Sequence, residues 1–228
     1  MNSFTTILFS LLGGVLPALL WLWFWLKEDR LHPEPKIRII AVFLTGMVSV
    51  FIVLPLEKLV YTVALSTISL ATVVAWASIE EIFKYIAAHF TALKRKVTDE
   101  PIDAVIYMIT VALGFSAMEN TLFLFNLIDT GLFSQSVITG NSRFLGAALL
   151  HVASSAAIGV MVALAYYKKP SIKRFFLFIG VVLSVLLHTI FNLLIIKLGN
   201  DLFFVFAGVW VLIILLIVLI EKIKKINP

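Results

Sequence analysis

Seven stretches of mostly apolar residues dominate this chain, and each reaches the twenty or so residues that a helix needs to cross a bilayer. They run over 4–26, 37–57, 62–92, 102–126, 144–167, 175–197 and 202–221. In lipid a backbone amide has no water to bond to, so runs of this kind satisfy their amides internally, as helices. A water-soluble globule is excluded, because 61% of the residues are hydrophobic and only 14% are charged. The expected fold is all-α: a polytopic transmembrane helix bundle of about seven spans, with residues 1–228 forming one integral membrane domain. The third stretch is long for a single span, so it should tilt, kink or emerge from the membrane. The first reads as a span rather than a signal peptide. Met1-Asn2-Ser3-Phe4 carries no basic residue, the apolar run is too long, and no small-x-small site precedes Lys27.

Basic residues set the orientation. Fourteen lie on one side: Lys27, Arg30, Lys36 and Arg38 after the first span, Lys94, Arg95 and Lys96 after the third, Lys168, Lys169, Lys173 and Arg174 after the fifth, and Lys222, Lys224 and Lys225 in the tail. Three, Lys58, Arg143 and Lys197, lie on the other. The positive-inside rule then puts the N-terminus outside and the C-terminus in the cytoplasm. The same residues account for the net charge of +5 without a nucleic-acid partner, since they contact anionic lipid. Trp21, Trp23 and Trp25 fit an interfacial belt. The chain has no cysteine, which rules out disulfides, thiolate metal sites and a Cys nucleophile.

Against this background a few ionisable residues fall inside the spans: Glu80, Glu81, Lys84, Glu119, His151 and His188. A charge at the centre of a bilayer helix costs about 2.5–3.5 kcal/mol on insertion scales, so such groups face the bundle interior and serve a purpose. Glu80 lies 14 residues before Lys94, His188 lies 14 after Arg174, His151 lies 17 before Lys168, and Glu119 lies 18 after Pro101. At about 1.5 Å of rise per residue, all four fall roughly 20–27 Å from the cytoplasmic surface, in the outer half of the membrane. Random placement would scatter them. The pairs Glu80/Lys84, Phe115/Glu119, His151/Ser155 and His188/Asn192 are each spaced i,i+4 and share a helix face. Asp103 reads first as a cap or first-turn acid and Arg143 as an outer-surface anchor. His32 and His89 are read as interfacial and carry no assigned role.

A layer of carboxylates and imidazoles can activate water. A glutamate in an apolar setting serves as general base or acid, and histidine can orient water, donate to an oxyanion or bind a metal. Two His and one Glu also form a common catalytic zinc set, although no local HExxH is present. Ser116, Ser154 and Ser155 lack a nucleophile elbow, and no aspartic dyad is evident. The main non-enzymatic alternative is a proton- or cation-coupled transporter, which predicts polar groups staggered through the membrane and repeat symmetry. Neither is visible, though Pro55 could break the second span.

At these residues the sequence resembles the PrsW family of intramembrane proteases, related to the CAAX-processing and bacteriocin-immunity group. The motifs read Glu80-Glu81-Ile82-Phe83-Lys84 (EExxK), Phe115-Ser116-Ala117-Met118-Glu119 (FxxxE), His151-Val152-Ala153-Ser154-Ser155 (HxxxS) and His188-Thr189-Ile190-Phe191-Asn192 (HxxxN). The stretch from Glu100-Pro101-Ile102-Asp103 through Gly114 to Asn120, and Arg143 before the first His, add to it. The likeness covers roughly residues 75–195 in the expected order, with no motif residue missing. It implies a peptidase of the prokaryotic plasma membrane that clips a single-span membrane protein. In the prototype's role this is an anti-sigma factor, cut at its extracytoplasmic side to start a stress-signalling cascade. A non-catalytic binding or immunity protein is the alternative within the group. By resemblance Glu80 is the water-activating base, and Glu81 its partner or the leaving-group acid. Glu119 and His151 position water or bind metal, and His188 with Asn192 faces the oxyanion. Lys84, Ser155, Asp103 and Arg143 support the site. The cofactor is either none or one divalent metal such as zinc, which Glu119, His151 and His188 would hold.

Overall fold

A computed structural model describes residues 3–30, 32–64, 66–132, 146–198 and 202–226. They form seven helices: α1 (Ser3–Leu26), α2 (Lys36–Val63), α3 (Leu70–Ala88), α4 (Pro101–Asp129), α5 (Ala148–Leu164), α6 (Pro170–Leu198) and α7 (Leu202–Ile223). A short 3-10 turn, Lys27–Asp29, ends α1, and a π-helical turn, His89–Leu93, continues α3.

The expected all-α bundle is there, with two corrections. Among the described residues five helices are long and apolar enough to cross a membrane: Ser3–Asp29, Lys36–Val63, Pro101–Asp129, Pro170–Lys197 and Phe203–Ile223. The other two are α3, of 19 residues, and α5, of 17. The reasons are physical: Glu80, Glu81 and Lys84 interrupt α3's apolar run, and α5 is short for the hydrocarbon core. The second correction concerns the stretch 62–92, which is not one helix. The second helix runs on to Val63, Ser66 takes a left-handed conformation with φ 57°, and Ser69 caps a new helix by accepting from the Thr72 amide at 3.2 Å.

The packing is inside-out relative to a soluble protein. Large side chains such as Phe4, Leu8, Phe51, Phe175 and Phe204 point outward, where lipid would meet them. In α1 the buried stripe is instead Thr6, Ser10, Gly14, Ala18, Leu22 and Trp25, a four-residue repeat of mainly small side chains. The centre of the bundle is α4. Of the residues in its most apolar window 94% are buried, against 22–39% in the other four spans. It packs on α1, α2, α3 and α5, while α6 lies against α3 and α5. Close approach to α2 depends on glycine: a Cβ on Gly114 would stand 2.0 Å from the Phe43 carbonyl oxygen, and one on Gly46 2.3 Å from that of Val111. This crossing brings α2, α3 and α4 together around the ionisable layer.

Candidate active site

The spacing within α3 places Glu80 and Glu81 on the same side as Lys84, at i+4 and i+3. The Lys84 ammonium is wholly buried and spends its three protons on three acceptors: Glu81 Oε1 at 2.8 Å, Glu80 Oε2 at 3.1 Å and His151 Nδ1 at 2.9 Å. Its remaining face lies 4.3 Å above the centroid of the Phe115 ring. Helices α3, α4 and α5 thus meet on one charge.

Glu81 is the hub. Its side chain is 0% exposed, and donors from three helices converge on it. Besides Lys84, Oε1 takes His188 Nδ1 at 2.8 Å and Ser154 Oγ at 3.1 Å, and Oε2 takes Ser155 Oγ at 2.7 Å and Ser184 Oγ at 2.8 Å. These donors come from α5 and α6, so this carboxylate fastens both helices to α3. Glu80 is less encumbered. One oxygen meets Lys84, while Oε1 stands 3.7 Å from His188 Nε2. Protein cover falls away across the group, from Glu81 at 0% side-chain exposure through Glu80 at 11% to Glu119 at 32%. The open edge is on the Glu119 side.

Hydrogen bonding assigns the imidazoles. An ammonium can only donate, so His151 Nδ1 accepts and its proton is on Nε2, which gives it to Glu119 Oε2 at 2.8 Å. His188 is the reverse. Its Nδ1 donates to Glu81, so in the neutral ring Nε2 carries the lone pair and faces Glu80 Oε1. Two acceptors at that separation are satisfied by a donor or a cation between them. The two rings stand edge to face, with centroids 5.2 Å apart.

The donor set fits a divalent metal. Glu80, Glu81, His151 and His188 each offer one ligand atom, and the four atoms lie within 4.8 Å of one another. The Glu81–His188 bond is the carboxylate–histidine arrangement that orients a metal-binding ring nitrogen. Glu119, expected in the metal set, stands beside it through His151.

All five expected catalytic residues, with Lys84 and Ser155, are therefore assembled. Asn192 lies half-buried one turn beyond His188. Asp103 is not in the assembly. It sits 16 residues before Glu119 in α4, where its Oδ2 accepts the amides of Asp99 and Glu100 at 2.8 and 2.7 Å as a cap. Arg143 falls outside the described residues. Two participants escape the sequence pattern. Ser184 precedes His188 by one turn, as Asn192 follows it by one turn on the same helix face. Glu57 hydrogen-bonds with Glu80 and lies close to Glu119. It reads as a helix-end acid beside Lys58, but α2 continues to Val63 and keeps it in the helix. The clue was the apolar run resuming after Lys58.

The PrsW family, described as an intramembrane metalloprotease family, matches this chain over residues 34–220. Protease PrsW of Geobacillus kaustophilus is 28% identical over 193 residues, covering 81% of this chain and 79% of that protein. Protease PrsW of Halalkalibacterium halodurans is 26% identical over 227 residues, covering 96% and 98%. Protease PrsW of Clostridioides difficile is 26% identical over 185 residues, covering 78% and 76%. No solved structure matches the chain.

Proposed function

The chain belongs to the PrsW family of intramembrane proteases, and from that premise we propose that it cuts a membrane-anchored protein near its extracytoplasmic side, using water activated at Glu80. It is a multi-pass protease of the prokaryotic plasma membrane. The observation that carries the mechanism is the contrast between the two adjacent glutamates. Glu81 is saturated by donors on both oxygens, whereas Glu80 gives Oε2 to Lys84, hydrogen-bonds with Glu57, and has Oε1 3.7 Å from His188 Nε2.

In this reading Glu80 takes a proton from water as the water oxygen adds to the peptide carbonyl. The resulting oxyanion is met by a hydrogen-bond donor, and the proton passes to the leaving nitrogen as the carbon–nitrogen bond breaks. The tautomers favour His151 as that donor, its Nε2–H turning from Glu119 Oε2 to the oxyanion once substrate is bound. His188, with its lone pair inward, then orients the water, which exchanges the roles that resemblance suggested. Lys84 holds both glutamates by hydrogen bonds and His151 in its tautomer. In the alternative, metal-dependent reading, a zinc-type ion would be held by Glu80, Glu81, His151 and His188 in place of these hydrogen bonds and would supply a water of lowered pKa.

The excess of basic residues in the loops after α1, α3 and α5 supports an outward N-terminus and an outer-half site. A single-span substrate of the anti-sigma type fits such a site, with stress signalling as the setting. The test is cleavage of a panel of single-span reporters in membranes, comparing wild type with Glu80→Gln. Product from wild type alone supports the reading, and its size locates the cut. Equal product from both removes Glu80 as the base. No product from either favours a transport or binding role, to be followed by proton-flux measurements.

A further inference from the structure

Far from the glutamate–histidine layer, at the other end of α4, three carboxylates from three elements converge. Asp29 ends the 3-10 turn after α1, Glu34 lies in the link to α2, and Asp103 stands in the first turn of α4. One oxygen of each lies within 4.8 Å of the other two. Asp103 and Glu119 are 16 residues apart on one straight helix, about 24 Å of rise, so this cluster is separate from the peptidase site.

Hydrogen bonds satisfy the three carboxylates only in part: Asp29 accepts one from the Glu34 backbone, and Glu34 and Asp103 share one between their side chains. Asp29 is only 5% exposed, and its Oδ2 is fully buried with no hydrogen-bond partner. Glu34 receives the Tyr107 hydroxyl on Oε2, and Asp103 spends Oδ2 on its two cap bonds. Of the basic side chains nearby, Arg38 donates Nη1 to the Thr91 carbonyl at 2.7 Å and keeps a buried Nε without a partner, and exposed His32 pairs with Glu100 at 2.8 Å. Burial pushes the Glu34 carboxyl up to about 8, which reflects poor solvation of the negative charge here. A buried carboxylate oxygen without a partner is costly. The donors on offer are all oxygens, with a phenol alongside, and such a set suits hard cations rather than zinc or copper.

We propose that Asp29, Glu34 and Asp103 bind one divalent cation of the calcium–magnesium class, which fastens the end of α1 and the start of α2 to the first turn of α4. The cation supplies the missing partner for Asp29 Oδ2. It also sets the starting position of α2, the helix that carries Glu57 to the peptidase site. The site does not depend on the peptidase reading and can be tested without a substrate.

The test uses the full chain in detergent, stripped of metal and titrated with CaCl2 and with MgCl2 by calorimetry and thermal unfolding. A His151→Ala/His188→Ala background weakens ion binding at the other cluster, and Asp29→Asn measured in that same background identifies the ion held here. The expected result is one ion per chain with a rise in Tm, weakened about tenfold or more by Asp29→Asn. Terbium provides a reading that needs no further variant. Bound at this cluster it lies beside Tyr107, so excitation of aromatic residues should give terbium emission that calcium displaces. No saturable binding, unchanged affinity in Asp29→Asn, or absence of displaceable terbium emission would each overturn the proposal.

Discussion

Lys84 Nζ lies 2.9 Å from His151 Nδ1, and this contact between α3 and α5 fixes which nitrogen of the imidazole carries the proton. The same ammonium neutralises two glutamates, so one residue sets both the charge and the proton pattern of the site. Replacing Lys84 with Met should leave two buried carboxylates uncompensated and cost about 3–5 kcal/mol. Thermal unfolding in detergent would show the loss. A variant as stable as wild type would mean that Lys84 is not the charge that holds the pair.

Glu80 and Glu81 should separate cleanly. Glu80→Gln removes a base but few packing contacts, so cleavage should fall at least about a hundredfold with little change in Tm. Glu81→Gln puts an amide among ammonium and hydroxyl donors and should destabilise by about 3–5 kcal/mol. Reporter cleavage and unfolding, measured on the same preparations, distinguish the two. The reverse pattern would exchange their roles.

Glu57 stands beside Glu80 and Glu119 although no motif contains it. Glu57→Gln should slow cleavage by about tenfold, the scale of losing one interaction of 1–2 kcal/mol, with Tm preserved. The pH–rate profile should shift as well, because a titratable neighbour hydrogen-bonded to Glu80 is removed. Wild-type kinetics at every pH would leave Glu57 a bystander.

The α2–α4 crossing tolerates no side chain at Gly114, where a Cβ would meet the Phe43 carbonyl oxygen at 2.0 Å. Gly114→Ala should destabilise by about 1–3 kcal/mol or more through overpacking. Gly208 in α7 has nothing within 4 Å of that position, and Gly208→Ala there should be neutral or stabilise by about 0.5–1 kcal/mol. Comparing the two Tm values separates packing at the crossing from a general effect of losing a glycine.

The helical class of this protein and the membership of its polar layer were legible in the amino-acid order. Both rest on local properties: apolar run length fixes what can sit in lipid, and rise per residue fixes depth, so Glu80, Glu119, His151 and His188 could be set at one level before any contact was known. The turn at Ser66–Ser69 was hidden because Ser66-Thr67-Ile68-Ser69 carries no charge, glycine or proline to break a long apolar stretch. Only the tertiary structure decided what each group touches there. Which of two adjacent glutamates is saturated depends on Ser154, Ser155, Ser184 and His188 arriving from α5 and α6, and Glu57 joins only because α2 crosses α4 at Gly46 and Gly114. At the far end, Asp103 reads in sequence as a cap. Its place between Asp29 and Glu34 follows from three chain segments meeting, and hydrogen bonding and charge are satisfied between helices, where sequence spacing carries no distance.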